Sequence, residues 1–432
     1  MSAETAAQEP AASAPRSKGS KGPLDLLMRA LGSYWLSVGV LTGMFLLTYF
    51  GTLQQVEDGL YIVQQEYFYS YFVVQEPIQL FPLPVKLPFP LPLPGGFVLM
   101  GLLSINLFVG GLVRIRKTQR TFGILVTHVG MAFLMAAGLV KIVDSEDGYV
   151  ALAEGESSGW FQSHYLWDLV IYDAPLDDAG GEVREWIVPQ EQFADLSDNS
   201  RKFSAEGLPF ELELAHYEDH AQVLPVGPMW KSPAPDVNGY AIRPLPNQAE
   251  AETHVPALWA KATVNGQPQE LLLWGAARFP GIVETTSAAG DVVTAEGGGG
   301  SGRYALALRK RRFEFPWEIR LEEFFMDEHP GTSMASEYRS DVTHIDGDRS
   351  NRVRIEMNKP MRRDGYILYQ ASYGRRASDG ELYSQFAVVR NPSDQWPKYA
   401  CYVIGIGMAL AFGQRLIQHI QKQNAQRAKA AA

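Results

Sequence analysis

The chain has a single cysteine, Cys401, in 432 residues. That scarcity rules out a disulfide framework, dithiol exchange through C-x-x-C, and the C-x-x-C-H motif of a c-type cytochrome. Charge is nearly absent from four windows, Ser33 to Leu53, Gly95 to Val113, Thr121 to Val143 and Tyr399 to Leu416. Each is about 18 to 23 residues long, close to the roughly 20 needed to cross ~30 Å of hydrocarbon, so four transmembrane helices are expected. The exceptions, Lys141 and Arg415, lie near span ends, where long side chains reach the interface. A net charge of −10, with basic residues dispersed or placed on the flanks of these windows, argues against a nucleic-acid partner.

The basic residues set an orientation. Arg16, Lys18, Lys21 and Arg29 precede the first window; Arg114, Arg116, Lys117 and Arg120 fill the link between the second and third; Arg415, Lys422, Arg427 and Lys429 follow the fourth. The intervening segments begin with Glu57, Asp58, Glu66 and Glu76, and with Asp144, Glu146 and Asp147. Positive flanks stay in the cytoplasm. Both termini are therefore expected inside, with one short loop and one large domain outside. The first window begins too late and runs too long for a signal-peptide core, and no A-x-A-like site follows it, so it reads as a retained helix.

The resulting organisation is a disordered cytoplasmic tail over 1–32, spans at 33–53, 95–113, 121–143 and 399–416, a loop over 54–94, a domain over 144–398 and a cytoplasmic tail over 417–432. Within the loop, Leu60, Val63, Tyr67, Tyr71 and Val74 recur at helical spacing, which fits an amphipathic helix at the membrane interface or a packed loop helix. The proline-dense stretch from Leu80 to Gly96 predicts a stiff, extended connector. Asn106 in the second span should face another helix, and the short basic link makes spans two and three antiparallel neighbours.

From Asp144 onward the pattern changes to period two. PFELELAHYE alternates Phe210, Leu212 and Leu214 with Glu211 and Glu213, and RVRIEMN alternates Val353, Ile355 and Met357 with charges. Further strands are expected in YVALAE, LWDLVIYDA, EVREWIVP, ALWAKATV, QELLLWGA, RYALALRKRRFEF, EIRLEEFFMDE, GYILYQASY and SQFAVVR. The fold class is thus an α+β membrane protein, with three N-terminal spans and one C-terminal span around an extracytoplasmic antiparallel β domain of the sandwich or barrel-like kind. The glycine run at 297–302 lacks the lysine and helix of a phosphate-binding loop and reads as a hairpin loop.

Several polar residues carry possible chemistry. His216 and His220 have i, i+4 spacing, but they follow an alternating strand, where that spacing does not converge on a metal. GTSMA around Ser333 departs from G-x-S-x-G and reads as a turn. Asp341 and His344 lie in SDVTH, which reads as a strand with ordinary polar faces. No catalytic residue is assigned. His128 stands apart: an ionisable residue inside a span is a functional hypothesis by default, for ligand or proton work, against the alternative of a neutral imidazole bonded to a neighbouring helix. About seven residues into the span at ~1.5 Å per residue, it lies roughly 10 Å deep, too far to reach the interface, so its ring needs a partner. Haem iron is a natural one, because imidazole ligates it and a porphyrin suits an apolar interface. No second histidine lies in a span, so a second axial ligand would come from another subunit.

The chain resembles the ResB/CcsB family of System II cytochrome c maturation. The likeness rests on FGTLQQVEDGLYIVQQEYF at the first-span exit, ILVTHVGMAFLMAAGLV in the third span, and EGESS at Glu154 to Ser158. More specific still are FPWEIRLEEFFMDEHPGTSMASEYRSDVTHID, NKPMRRDGYILYQASYG, and VVRNP running into the last span. The resemblance implies a multi-pass protein of the bacterial cytoplasmic membrane. It implies a complex with a CcsA-type tryptophan-rich partner that carries haem b outward, as transported substrate, and attaches it to C-x-x-C-H of apocytochrome c. His128 matches the family's third-span haem ligand. This chain would be a haem-binding or non-catalytic subunit of the synthase; the alternative is a membrane-anchored scaffold or chaperone without direct haem binding. The stretch from Leu224 to Gly302 does not follow the family pattern.

Overall fold

A computed structural model describes residues 22–75, 79–80, 85–86, 90–173, 184–228, 230–277, 280–284, 302–331, 335–376 and 380–431. The chain divides into two compact units: Met1–Leu47, Tyr71–Met135 and Trp396–Ala432 form one, and Thr48–Ser70 and Ala136–Gln395 the other. Ser333 and most of the 297–302 glycine run lie outside the described residues.

Helix α1 (Pro23–Leu31) starts on a proline, whose fixed φ suits the first turn and whose missing N–H is not needed there. It is followed by α2 (Tyr34–Val63), the short strands β1 (Phe72–Gln75), β2 (Gln79–Leu80), β3 (Val85–Lys86) and β4 (Leu91–Pro94), and α3 (Gly96–Asn106). A π-helical turn, Leu107–Val113, extends α3; α4 (Phe122–Asp144) follows, and α5 (Trp396–Ala431) comes after the second unit. Among the described residues four helical stretches are long and apolar enough to cross a membrane: Tyr34–Phe68, Gly96–Val113, Gln119–Asp144 and Trp396–Ala430. The end of the proline-rich connector is not isolated, since β4 pairs antiparallel with β1.

The helix bearing the first apolar window does not stop at Leu53. It runs on to Val63 and, as a π-helical turn, to Phe68, with a break at Gly59, where φ is +81°. A Cβ built at Gly59 would lie 2.0 Å from the carbonyl oxygen of Ala249, so only glycine meets both the positive φ and the close approach. Tyr61 stacks on Tyr165 at 3.7 Å, so at this point the segment after Leu53 is packed.

Small residues let the apolar helices approach. Gly123 and Thr127 of α4 meet Gly407 and Ala411 of α5, and Gly130 meets Ala400 and Ile404. Small residues four apart at facing positions bring backbones together where packing, not hydrophobicity, drives association. Asn106 is buried; its Nδ2 donates to the carbonyls of Leu31 (2.7 Å) and Ser33 (3.1 Å), and its Oδ1 accepts from Ser37 Oγ (2.6 Å). The expected interhelical role of this side chain thus includes satisfying carbonyls at the break between α1 and α2.

Apart from the helical Thr48–Ser70 stretch and the end of α4, the second unit is mainly antiparallel β. Its strands are β5 (Glu146–Ala153), β6 (Ser157–Asp173), β7 (Glu185–Val188), β8 (Ser200–Phe203), β9 (Glu211–Glu218), β10 (Ala221–Pro225), β11 (Tyr240–Pro244), β12 (Ala257–Val264), β13 (Gln267–Trp274), β14 (Gly281–Glu284), β15 (Arg303–Glu328), β16 (Ala335–Asp346), β17 (Arg349–Glu356), β18 (Met361–Arg363), β19 (Tyr366–Arg375) and β20 (Leu382–Arg390). Three tight turns carry the pairs Asn238-Gly239, Asn265-Gly266 and Asp364-Gly365, all at positive φ, as two-residue hairpin loops require.

One large sheet runs β17-β16-β15-β6-β5-β20-β19-β18, with β14 added to β15 and β7 to β6; a smaller sheet runs β13-β12-β9-β8. The long strands β6 and β15 serve two cores. Their halves at 167–171 and 304–308 join Leu212, Leu214, Leu258 and Leu273 of the smaller sheet in a sandwich. The other halves put Phe161, Phe315, Trp317 and Ile319 in a second core with Ile355 of β17 and Leu368 of β19. Residues from both ends of the strand order share that core, so the sheet curls on itself. β15 stays one strand through Phe315-Pro316-Trp317 because its pairing with β6 shifts register between Glu314 and Ile319, and a proline is tolerated at such an irregularity.

EGESS is the turn between β5 and β6. Glu154 Oε1 accepts from Phe324 N (2.8 Å), Glu156 Oε2 from Ala153 N (2.9 Å), and Gly155, at φ +82°, donates to Leu321 O (2.7 Å). The first and last strands of the unit are neighbours: β5 pairs with β20 from Glu146↔Arg390 to Ala153↔Tyr383.

Candidate functional site

His128 lies in the second turn of α4. Its Nδ1 is 2.7 Å from the carbonyl oxygen of Ile124, one turn earlier. A carbonyl only accepts, so Nδ1 donates here, and in the neutral form of the ring the lone pair is on Nε2. A hydrogen bond from the far nitrogen fixes tautomer and orientation in metal-bound imidazoles. No hydrogen bond to Nε2 is present among the described residues.

The ring rests on Gly111. A Cβ there would lie 2.4 Å from Cδ2 of His128 and 3.2 Å from Nε2. Gly111 belongs to the π-helical turn Leu107–Val113, a departure from regular helix of the kind often found at functional positions. Its neighbour Gly110 meets Gly32, with a built Cβ 3.1 Å from the Gly32 carbonyl oxygen. The adjacent glycines therefore admit two different neighbours, and the second and third apolar helices are in contact at His128, as their short link requires. The donor set is one imidazole with Nε2 unbonded among apolar helices, and it fits a single axial ligand to haem iron.

The second unit holds polar side chains differently, in chains that end on backbone. Gln190 accepts from Trp167 N (2.8 Å) and donates to the Tyr217 hydroxyl (2.8 Å), which donates to Asp219 Oδ1 (3.1 Å). Asp219 Oδ2 is 3.2 Å from His254 Nδ1, and His254 Nε2 accepts from Gln248 N (3.0 Å). Burial and then Asp219 push the Tyr217 phenol well above its ordinary pKa. Arg311 donates through Nη2 to Asp168 (2.8 Å) and through Nη1 to Glu191 (2.8 Å), and that contact holds the Glu191 carboxyl below its usual range. Lys310 lies 4.7 Å above the Trp167 ring and donates to the carbonyls of His164 and Glu252; burial lowers its pKa to about 8.

His216 and His220 do not converge. His216 is at φ +53°, where the pairing of β9 with β12 changes register, and His220 is buried and stacked on His254 at 4.6 Å between ring centres. Among the described residues no three His, Cys, Asp or Glu side chains form a metal-binding group. In the curled lobe, Asp341 accepts from Arg354 (2.7 Å) and Arg352 (3.3 Å), and its carboxyl lies below its ordinary pKa because of the Arg354 hydrogen bond. His344 is buried against Trp317, 4.7 Å between ring centres, so Asp341 and His344 form no triad. Ser340, Gln370 and Ser384 close a buried hydrogen-bonded ring at 2.7–2.9 Å. Sequence patterning missed the Gln190–Tyr217–Asp219–His254 chain; the only signal for it is the polar cluster HYEDH.

The profile of the ResB-like family matches residues 281–403. This stretch covers β14 to β20 and the first residues of α5, and it bears out the resemblance drawn from the motifs of the curled lobe. No curated protein matches the chain. The family match points to a role related to cytochrome c biogenesis, and the four apolar helices to membrane association.

Proposed function

From the match to the ResB-like family we propose that this chain is the haem-handling subunit of a System II cytochrome c synthase. It would be embedded in the bacterial cytoplasmic membrane and act with a CcsA-type tryptophan-rich partner on an apocytochrome c bearing C-x-x-C-H. The observation that carries the haem assignment is the 2.7 Å contact of His128 Nδ1 with Ile124 O, which leaves Nε2 as the nitrogen for iron. The haem is cargo: His128 holds its iron on one face, and a ligand from the partner holds the other.

The charge of the flanks supports an orientation with both termini and the 114–120 link in the cytoplasm and the β unit outside. His128 then lies nearer the cytoplasmic face, on the side where haem is made available. In this reading Ile124 sets the direction of the lone pair, Gly111 gives the ring room, and the surrounding apolar helices exclude water from the iron.

The family match falls on 281–403 and not on α4, which favours, as a second reading, a membrane-anchored β scaffold for an exported partner. One experiment separates them. The chain is purified with its tryptophan-rich partner and a visible spectrum is recorded for wild type and His128→Ala. The haem reading expects the Soret band to be lost or shifted in the variant and restored by added imidazole. An unchanged band removes His128 as a ligand and leaves the scaffold.

A further inference from the structure

One turn before His128 the first unit contains a cavity of about 460 Å³. Phe122 and Leu125 of α4 form an apolar wall, and Lys117, Thr118, Gln119 and Gln414 supply a polar rim. Leu125 and His128 are three residues apart on one helix, so the cavity and the imidazole are about 4.5 Å apart along the axis, on adjoining faces. The hydroxyls of Thr118 and Thr121 are engaged with each other in the cap of the helix start. Two groups on the rim are not engaged. Lys117 makes no ion pair among the described residues, and the amide oxygen of Gln414 is buried without a partner. Rotating that amide by half a turn presents an N–H at the same place.

An apolar wall, one cation and an amide able to donate describe a receptor for an amphiphile that ends in an acid. We propose that this cavity takes the carboxylate edge of the tetrapyrrole whose iron His128 ligates, with Lys117 as counter-ion and Gln414 as hydrogen-bond donor. The inference rests on the haem reading above and adds a second, metal-independent point of attachment. Lys117 then selects for the free acid, and the substrate is held by its rim as well as its iron.

The test compares three probes on the full chain in detergent: haem, haem dimethyl ester, and metal-free protoporphyrin IX. Wild type should bind haem about tenfold more tightly than the diester, the size of one charge-assisted contact at a partly dry site. Lys117→Ala and Gln414→Leu should bring the two affinities together without moving the Soret maximum, and Lys117→Arg should keep the preference. Metal-free porphyrin, followed by fluorescence, should depend on Lys117 and not on His128. If His128→Ala leaves the haem spectrum unchanged, the ligand reading fails while the acid-to-ester ratio still reads the cavity. Equal affinities for haem and diester in wild type, or a preference that survives Lys117→Ala, would overturn the proposal. So would anionic phospholipid co-purifying with wild type and lost in Lys117→Ala without any acid-to-ester preference.

Discussion

The two units treat a histidine in opposite ways. In the helical unit His128 has one hydrogen bond, to its own helix, and a second nitrogen left over. In the β unit His254 uses both nitrogens, one on Asp219 and one on Gln248, and His220 is stacked on it. Among apolar helices a polar group is costly and scarce, so one that persists is a functional hypothesis by default. In the β unit the imidazole of His254, held on both sides, is part of the scaffold. Within the first unit Asn106 also serves structure, through the carbonyls of Leu31 and Ser33, which leaves His128 as the side chain on which the proposed chemistry rests.

The largest expected effect tests the first half of this contrast. Gly111→Val should abolish haem retention by the purified complex, and Gly111→Ala should reduce it by about tenfold, because a Cβ 2.4 Å from Cδ2 drives the ring off Ile124 O. Helix content by circular dichroism should not change. Retention of wild-type binding by Gly111→Val would show that the ring does not need its present seat.

Asp341→Asn tests the scaffold half. Its carboxylate is buried but its arginine partners are half exposed, so after allowing for screening the loss should be about 1–2 kcal/mol in denaturant unfolding at neutral pH. The depressed carboxyl pKa means that this stability is present above the unfolded-state value and lost as pH falls through the folded one. The variant should therefore lose less on acidification than wild type does.

Asn106→Leu removes three hydrogen bonds within the helical unit. The expected cost is about 1 kcal/mol in detergent unfolding, the usual scale for interhelical polar contacts. An equal cost to haem binding would place Asn106 at the site and break the contrast. The smallest effect concerns Lys310. Its folded pKa of about 8 lies below the model-compound 10.5, so between those values the unfolded state binds more protons and the β unit gains stability as pH rises. In Lys310→Met that rise should flatten, as read from melting temperatures across the interval.

What was legible in the sequence follows the same division. Uncharged windows located four long helices, and period-two runs located most strands, because both are one-dimensional signals of burial. His128 stood out for the same reason. Three things were not readable. α2 breaks at Gly59, where the Ala249 backbone approaches, a tertiary contact. RYALALRKRRFEF and EIRLEEFFMDE fuse into the 26-residue β15 through a proline that reads as a break. Asp219, one partner of His254, comes from a segment whose meeting with it depends on the pairing of β9 with β12.

The pairing of β5 with β20 has a further consequence. The chain enters the β unit and leaves it on adjacent strands, with Ser393 Oγ donating to Ala137 O (2.8 Å) beside them. Topologically the unit is a graft set into a helical connection, with its two ends side by side. Such an insert tolerates growth or shrinkage in its interior, the stretch from Leu224 to Gly302 included, without changing the gap its host helices must bridge.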